Sequence, residues 1–384
     1  MTDFSKITDY IKSLYPGMNP VLLHGPVFLG NEKKYLTECI DTRYVSYVGR
    51  FVNAMEEKIK EITGSKHAIA MVNGTAALQM ALIGCGVKRG EEVITQSLTF
   101  AATAAAIIHA GAVPAFVDVE KETMGMSPDS LRDFLLNKTI RKDGKIIDKE
   151  TKNTITAVIP VHIFGHPVRI KEIKAICDEY GLMLIEDAAE SLGSYRDGQH
   201  TGTFGLAAIL SFNGNKPVTT GGGGMVITDN EAIASKIRFI STTAKKPHPW
   251  EFIHEEVGYN LRLPSLNAAI GLAQLEYFNY IRENKRELAE MYHTFFAKLG
   301  IPTFHEPKDC SSNYWLNVIM FNSRQEREDF LKFANDNQVQ CRPIWTLMHK
   351  LKPYKDFPRT EMSVSEWFED RVVNIPSSVR EYRL

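Results

Sequence analysis

From about residue 51 onward, short apolar runs alternate with stretches of helical period. Ala68-Ile69-Ala70-Met71-Val72 reads as a strand and Gly74 to Cys85 as a helix. Glu92-Val93-Ile94-Thr95 is a second strand, followed by a helix over Phe100 to His109 and a strand over Pro114 to Val119. Further strands are predicted at Thr154 to His162, Leu182 to Ile185, Ala207 to Phe212 and Gly224 to Thr228, with a helix over Val168 to Tyr180. Apolar strands spaced by helices predict an α/β fold, a mostly parallel sheet covered on both faces. Such sheets bind ligands beyond the carboxyl ends of their strands. The charged stretch from Lys138 to Asn153 reads as a surface excursion. A long helical pattern from Pro264 to about Leu299 leads into a smaller carboxyl-terminal α+β domain. There Asn317 to Met320 and Gln338 to Pro343 read as strands and Ser323 to Asn335 as a helix. The division expected is an arm with short helices (1–50), a large domain (51–263), and a long helix with a small domain (264–384).

The 384 residues are enough for two domains with a sizeable core. Hydrophobic residues make up 44% and charged residues 24%, as in an ordinary soluble enzyme. A formal net charge of -1 gives no global attraction to nucleic acid or to an anionic membrane. The most apolar stretch, Phe100 to Val117, is interrupted by His109, Gly111 and Pro114, which argues against a membrane span. The start, Met1 to Lys6, has no apolar signal core. Five scattered cysteines without a CxxC pair suggest reduced thiols in the cytoplasm and no zinc site.

The chemistry centres on Lys216, held between the strand ending at Phe212 and the glycines 221 to 224. Roughly thirty residues upstream, the strand over Leu182 to Ile185 ends in Glu186-Asp187-Ala188-Ala189-Glu190. A lysine in a strand-to-glycine loop suits an amine that must reach a carbonyl. An acid leaving a buried strand suits the ring nitrogen of pyridoxal phosphate, whose aldehyde the lysine binds as a Schiff base. Asn73-Gly74-Thr75 opens a helix after a strand. Its glycine and free amides favour an anion such as a phosphate, although a plain N-cap with a glycine turn has the same sequence. Phe100, at a helix start, can stack on a ring or simply fill the core. Asp187 and Glu190 can also be read as an N-cap or as a metal pair, but no histidine cluster accompanies them. His162 and His166 have metal-pair spacing only on a helix. Gly165 and Pro167 break any helix there and leave a loop expected to line the pocket. The glycines 221 to 224 read as a turn between strands, with a phosphate nest as the alternative. The basic loop Thr242 to His248 reads as a solvated face or as a contact for a diphosphate.

Five segments together resemble the DegT/DnrJ/StrS family of pyridoxal-phosphate-dependent nucleotide-sugar aminotransferases. They are NGTAAL (73–78), TFAATA (99–104), EDAAESLGS (186–194), SFNGNK (211–216) and GYNLRLPSLNAAIG (258–271). The resemblance implies the aspartate aminotransferase-like fold, fold type I. SFNGNK with TTGGGG and TTAKKPHP looks most like the branch that aminates C4 of UDP-4-keto-6-deoxy-N-acetylhexosamines for surface glycans such as lipopolysaccharide. By the same resemblance, Lys216 is the Schiff-base lysine and Asp187 the partner of the pyridine nitrogen. Gly74, Thr75 and Ser211 are phosphate ligands, and Phe100 stacks on the ring. Asn260 reaches the phosphate of the neighbouring subunit, which implies a homodimer with shared sites. Glu190 stands where many members have Gln or His near the cofactor hydroxyl, and Pro217 replaces an aliphatic residue. Glutamate is the implied amino donor and a nucleotide-linked keto sugar the acceptor, with GDP and dTDP sugars as alternatives to UDP. A dehydratase of this fold would carry histidine in place of Lys216. A non-catalytic binding protein would not need Lys216 and Asp187 together.

Overall fold

Alternation along the strands builds the large domain. In the computed structural model, which describes residues 3–380, β1 (His67–Met71) sends Ile69 and Met71 to one face and Ala68 and Ala70 to the other, and all four are buried. Both faces are apolar because helices cover both. The remaining strands of this sheet follow in chain order. They are β2 (Glu92–Gln96), β3 (Val113–Val117), β4 (Thr139–Lys142), β5 (Lys145–Asp148), β6 (Thr154–Ile159) and β7 (Met183–Asp187). After two short pairing segments, β8 (Tyr195–Arg196) and β9 (Gln199–His200), come β10 (Ala207–Ser211) and β11 (Gly224–Thr228). The main path runs β1-β11-β10-β7-β6-β2-β3 within a nine-stranded sheet. The neighbours β10, β7, β6, β2 and β3 are parallel, and only β11 runs against them on this path. One face packs on the helices Gly74–Gly84, Ala101–His109 and Glu231–Ile240. The other packs on Arg50–Thr63, Ser265–Glu276, Pro128–Asn137 and Ile170–Tyr180.

The charged stretch 138–153 is more than a surface loop. It forms the β4–β5 hairpin, and β5 pairs antiparallel with the start of β6. Ile146 and Ile155 face the core there, which the density of charge in the sequence conceals.

The long helical pattern divides at Tyr277 into Ser265–Glu276 and Phe278–Leu299. Tyr277 leaves helical geometry (φ -105°, ψ 11°) and lays its ring over Gly30, where a Cβ would sit 2.3 Å from the ring. The small domain follows. After the short β12 (Cys310–Ser311), β13 (Asn317–Met320), β14 (Arg342–Pro343) and β15 (Val372–Ile375) form an antiparallel sheet with β15 in the middle. The strand expected over 338–343 is thus reduced to its last two residues. Phe296, Tyr292, Phe330 and Ile375 form its core together with Ile7 and Ile11 of the first helix, Phe4–Leu14. The first fifty residues pack on both sheets: Phe4–Leu14 covers the small antiparallel one, and Glu32–Thr42 packs on Ser265–Glu276, which lies against the nine-stranded sheet although the expected division grouped it with residues 264–384.

One buried carboxyl pair stands apart from the cavity described below. Glu92, the first residue of β2, and Asp148, the last of β5, are both inaccessible to water. Thr151 Oγ1 donates to Glu92 Oε2 (2.9 Å), and Asp148 Oδ1 accepts from the amides of Glu150 and Thr151. Glu92 Oε1 and Asp148 Oδ2 receive no donor. Burial, and then the neighbouring Asp148, push the Glu92 carboxyl up to about 8. A carboxyl raised in the fold is held protonated, so its contribution to stability is complete below the unfolded pKa and is lost as pH rises through about 8. The melting temperature should fall between pH 6 and pH 9. Glu92→Gln, which cannot ionise, should melt at least about 2 °C above wild type at pH 9, with a smaller difference at pH 6. Parallel melting curves across that range would place the alkaline sensitivity elsewhere.

Candidate active site

The carboxyl ends of β1, β2, β6, β7 and β10 meet at one edge of the sheet, around a cavity of about 300 Å³. Residues just beyond each of these ends line it: Gly74 and Thr75 after β1, Thr99 and Phe100 after β2, Val161 after β6. Asp187 closes β7, Ser211 closes β10, and Lys216 follows in the next turn. Glu190 lines it as well, so seven of the eight site residues expected from the sequence are gathered in one place.

The anion cradle is built at a helix start. Asn73 Oδ1 accepts the Ala76 amide (2.8 Å) and caps Gly74–Gly84. The first-turn amides of Gly74 and Thr75 have no carbonyl four residues back within the helix and stay available to a ligand. A Cβ on Gly74 would stand 3.2 Å from Ser211 Oγ, so the missing side chain keeps the space between the helix start and β10 open. The glycine run has a different task. A Cβ on Gly224 would collide with the Asn73 carbonyl at 2.5 Å, and Gly221 turns the chain at φ +80°. None of the glycines 221 to 224 lines the cavity, which favours the turn over the phosphate nest.

Period-two alternation separates the two acids at the end of β7. Asp187 faces the cavity. Its Oδ2 accepts Thr103 Oγ1 (2.9 Å) and its Oδ1 accepts the Ala189 amide (3.1 Å). Burial pushes its carboxyl above the usual range, against the pull of these donors and of Lys216. Glu186 faces the wall, where it accepts the amides of Gly202, Phe204 and Gly205 and pairs with His162 Nε2 (3.0 Å). His162 is therefore a wall residue, and His166 packs edge-on against Phe304 and Tyr314. Of the loop expected to line the pocket, only Val161, just before His162, reaches the lining, so the expectation holds at the loop's start alone. No group of three metal-ligating side chains occurs among the described residues.

Lys216 Nζ lies 3.3 Å from Glu190 Oε1 and 3.6 Å from the centre of the Trp315 ring. Glu190 follows β7 in a turn, not a helix, and its Oε2 accepts the Phe164 amide (2.8 Å). Phe164 adopts φ +55°, a strained choice for a bulky residue, and this brings its N–H to the carboxylate. Phe100 is 57% exposed at the cavity, 6.2 Å from Trp345, so it is not core packing. Asn260 is the exception. It is exposed, bridges to Thr242 and does not line its own chain's cavity. The basic loop is also outside the lining: Lys246 pairs with Glu255, and Lys245 lies over the exposed Phe252.

Thr103, Asn213, Asn215, Trp315 and Trp345 were not singled out from the sequence. The first three lie inside the TFAATA and SFNGNK segments, where the signal was present. Trp315 and Trp345 come from the small domain and have no local signature.

Pyridoxal phosphate requires an anion cradle, an acid and an amine facing a single cavity, and the residues present fit it. Gly74→Ala places a methyl group in the cradle against Ser211. It should weaken cofactor binding at least about tenfold, about 1.4 kcal/mol, measured by absorbance titration of the cofactor-free protein. The melting temperature without cofactor should not change; undiminished affinity would remove the cradle from the phosphate.

Comparison with known proteins identifies the family. The model of the DegT/DnrJ/EryC1/StrS aminotransferase family matches residues 29–380. GDP-perosamine synthase of Vibrio cholerae is 35% identical, over 92% of this chain and 93% of its own. GDP-perosamine synthase of Escherichia coli O157:H7 is 33% identical, over 94% of each chain. The crystal structure of a DegT DnrJ EryC1 StrS aminotransferase from Brucella abortus superposes with a TM-score of 0.81 at 28% identity, covering 90% of each chain. The chain accordingly belongs to the DegT/DnrJ/EryC1/StrS aminotransferase family, whose fold it shares, and it is a pyridoxal-phosphate-dependent aminotransferase.

Proposed function

We propose that this enzyme transfers an amino group from glutamate to C4 of a nucleotide-linked 4-keto-6-deoxy sugar, in the biosynthesis of an amino sugar for a surface glycan. The observation that carries the reading is the single cavity shared by Lys216, Asp187 and the Gly74–Thr75 cradle, in a chain similar along its length to two GDP-perosamine synthases. Those relatives support a GDP-linked sugar. The SFNGNK and TTAKKPHP segments support the second reading, a UDP-linked N-acetylhexosamine.

When bound, pyridoxal phosphate supplies an aldehyde that carries the amino group between substrates and a ring that accepts electrons. The chain supplies the rest. Gly74, Thr75 and Ser211 would hold the phosphate. Asp187, oriented by Thr103, would keep a proton at the ring nitrogen. Phe100 would stack on the ring. Lys216 would anchor the cofactor, and its Nζ would move a proton at the substrate carbon. Glu190 would lie near the cofactor hydroxyl, beside Lys216. The Trp315 ring, its centre 3.6 Å from Nζ, would shield the amine from water.

A homodimer in the cytoplasm completes the proposal, with Asn260 of one subunit reaching the phosphate held by the other. Two features support a partner surface. Asn260 is exposed and outside its own cavity, and Tyr44, Val48, Trp250, Phe252 and Val257 expose large apolar surfaces. No helix among the described residues is long and apolar enough to cross a membrane.

A panel of GDP-, UDP- and dTDP-linked 4-keto-6-deoxy sugars assayed with glutamate tests the activity. One nucleotide class should turn over, 2-oxoglutarate should appear in equal amount, and Lys216→Ala should abolish both. Absence of turnover across the panel would refute the substrate class. Subunit sharing is tested by mixing Lys216→Ala chains with Asn260→Ala chains, each inactive alone. After exchange, shown with tagged chains, about half the dimers are mixed, and up to about a quarter of all sites should regain both residues. If no activity returns, Asn260 acts within its own chain or outside the site.

A further inference from the structure

The sequence placed Glu190 near the cofactor, but the geometry gives it a second task, one that rests on the aminotransferase reading above. Its Oε1 is 3.3 Å from Lys216 Nζ, and both side chains are nearly inaccessible to water. Its other oxygen is fixed by the Phe164 amide from a backbone held at φ +55°. Its own carbonyl accepts Asn313 Nδ2 at 2.9 Å, so the residue is held at both ends. Three parts of the chain thus converge to aim one carboxylate at one amine.

We propose that Glu190 is the counter-ion of Lys216. It stabilises the positive charge that Nζ gains when the lysine takes a proton, and it holds the amine in place whenever the lysine is free. The proton balance is simple. Nζ uses its lone pair to take H⁺ from the substrate carbon and becomes –NH₃⁺; the C–H electron pair stays with that carbon and would be drawn into the cofactor ring, and the positive charge forms beside the Glu190 carboxylate. The reverse step returns the proton, and Glu190 itself neither gains nor loses one. A glutamine at this position accepts a hydrogen bond but carries no charge. Its lysine would be a weaker base in the same buried place.

The other titratable groups around the amine do not replace this contact. Asp187 bears on Lys216 electrostatically but lies beyond ion-pair distance, and it is engaged by Thr103 and Ala189. His162 faces Asp187 and Glu186. His24 senses Lys216 but hydrogen-bonds to Lys285, and burial, with Lys285 and Lys216 beside it, holds it well below the usual histidine range. Trp315 offers the amine a ring face without a charge.

The test uses the cofactor-free full chain, labelled with trinitrobenzenesulfonate across pH, with Lys216 modification read by peptide mass mapping. In Glu190→Gln the onset of labelling should move to lower pH by at least about one unit. Asp187→Asn, which removes a carboxylate that does not touch the amine, should move it less. If Glu190→Gln does not fold, Glu190→Asp replaces it, and its shorter carboxylate should give a smaller shift in the same direction. An unchanged onset, or equal shifts for Asp187→Asn and Glu190→Gln, would overturn the proposal. Labelling needs no substrate, so a chain that shows the shift but no turnover with any keto sugar would refute the proposed function and leave the ion pair standing. In the active enzyme, Glu190→Gln should lower kcat with little change in KM for glutamate.

Discussion

Three ionisable groups share one buried place: the carboxylates of Asp187 and Glu190 and the amine of Lys216. An unpaired charge out of water costs several kcal/mol, so this arrangement exists only where each charge meets a partner. Much of the surrounding structure supplies those partners. Thr103 and the Ala189 amide engage Asp187, the Phe164 amide engages Glu190, and Glu190 with the Trp315 ring engages Lys216. Phe164, at φ +55°, donates its N–H to a carboxylate that water hardly reaches.

The two domains are joined at this place. Asn313 Nδ2 donates to the carbonyls of Glu190 and Leu192, and Ser312 Oγ to that of Gly165. Trp315 Nε1 donates to Asn215 O in the turn that carries Lys216. The segment leading into β13 therefore grips both the acid turn after β7 and the lysine turn after β10. The lining residue Trp345 is added from the small domain, and Phe100 and the Gly74–Thr75 helix start from the large one.

Parallel strands explain why the reactive groups come together at all. Their carboxyl ends lie on one edge, so chain positions as far apart as Thr75 and Lys216 become neighbours. The close approach of β11 to the helix start depends on Gly224, where any side chain would strike the Asn73 carbonyl. That contact fixes the cradle against the strand following the lysine loop.

The alternation of apolar runs and helices determined the parallel sheet, and the strand-end acid with the glycine-flanked lysine determined the cofactor class. These were legible because a strand's period, a helix start and a lysine loop are local properties of the chain. Gly74, Thr75, Asp187 and Lys216 could be named for that reason, whereas Ser211 was named through the resemblance to the family. The tertiary structure decided the rest. Whether Glu186 or Asp187 faces the cavity depends on which face of β7 the other strands leave open. The partnership of Glu190 with Lys216 depends on a turn between residues 26 apart, not on a helix. Trp315 and Trp345 enter through the packing of one domain on another, and the β4–β5 hairpin is ordered by pairing with β6 across charged sequence. Long-range contacts of this kind leave no period in the sequence, because they are set by burial of surfaces that meet only after the chain has folded.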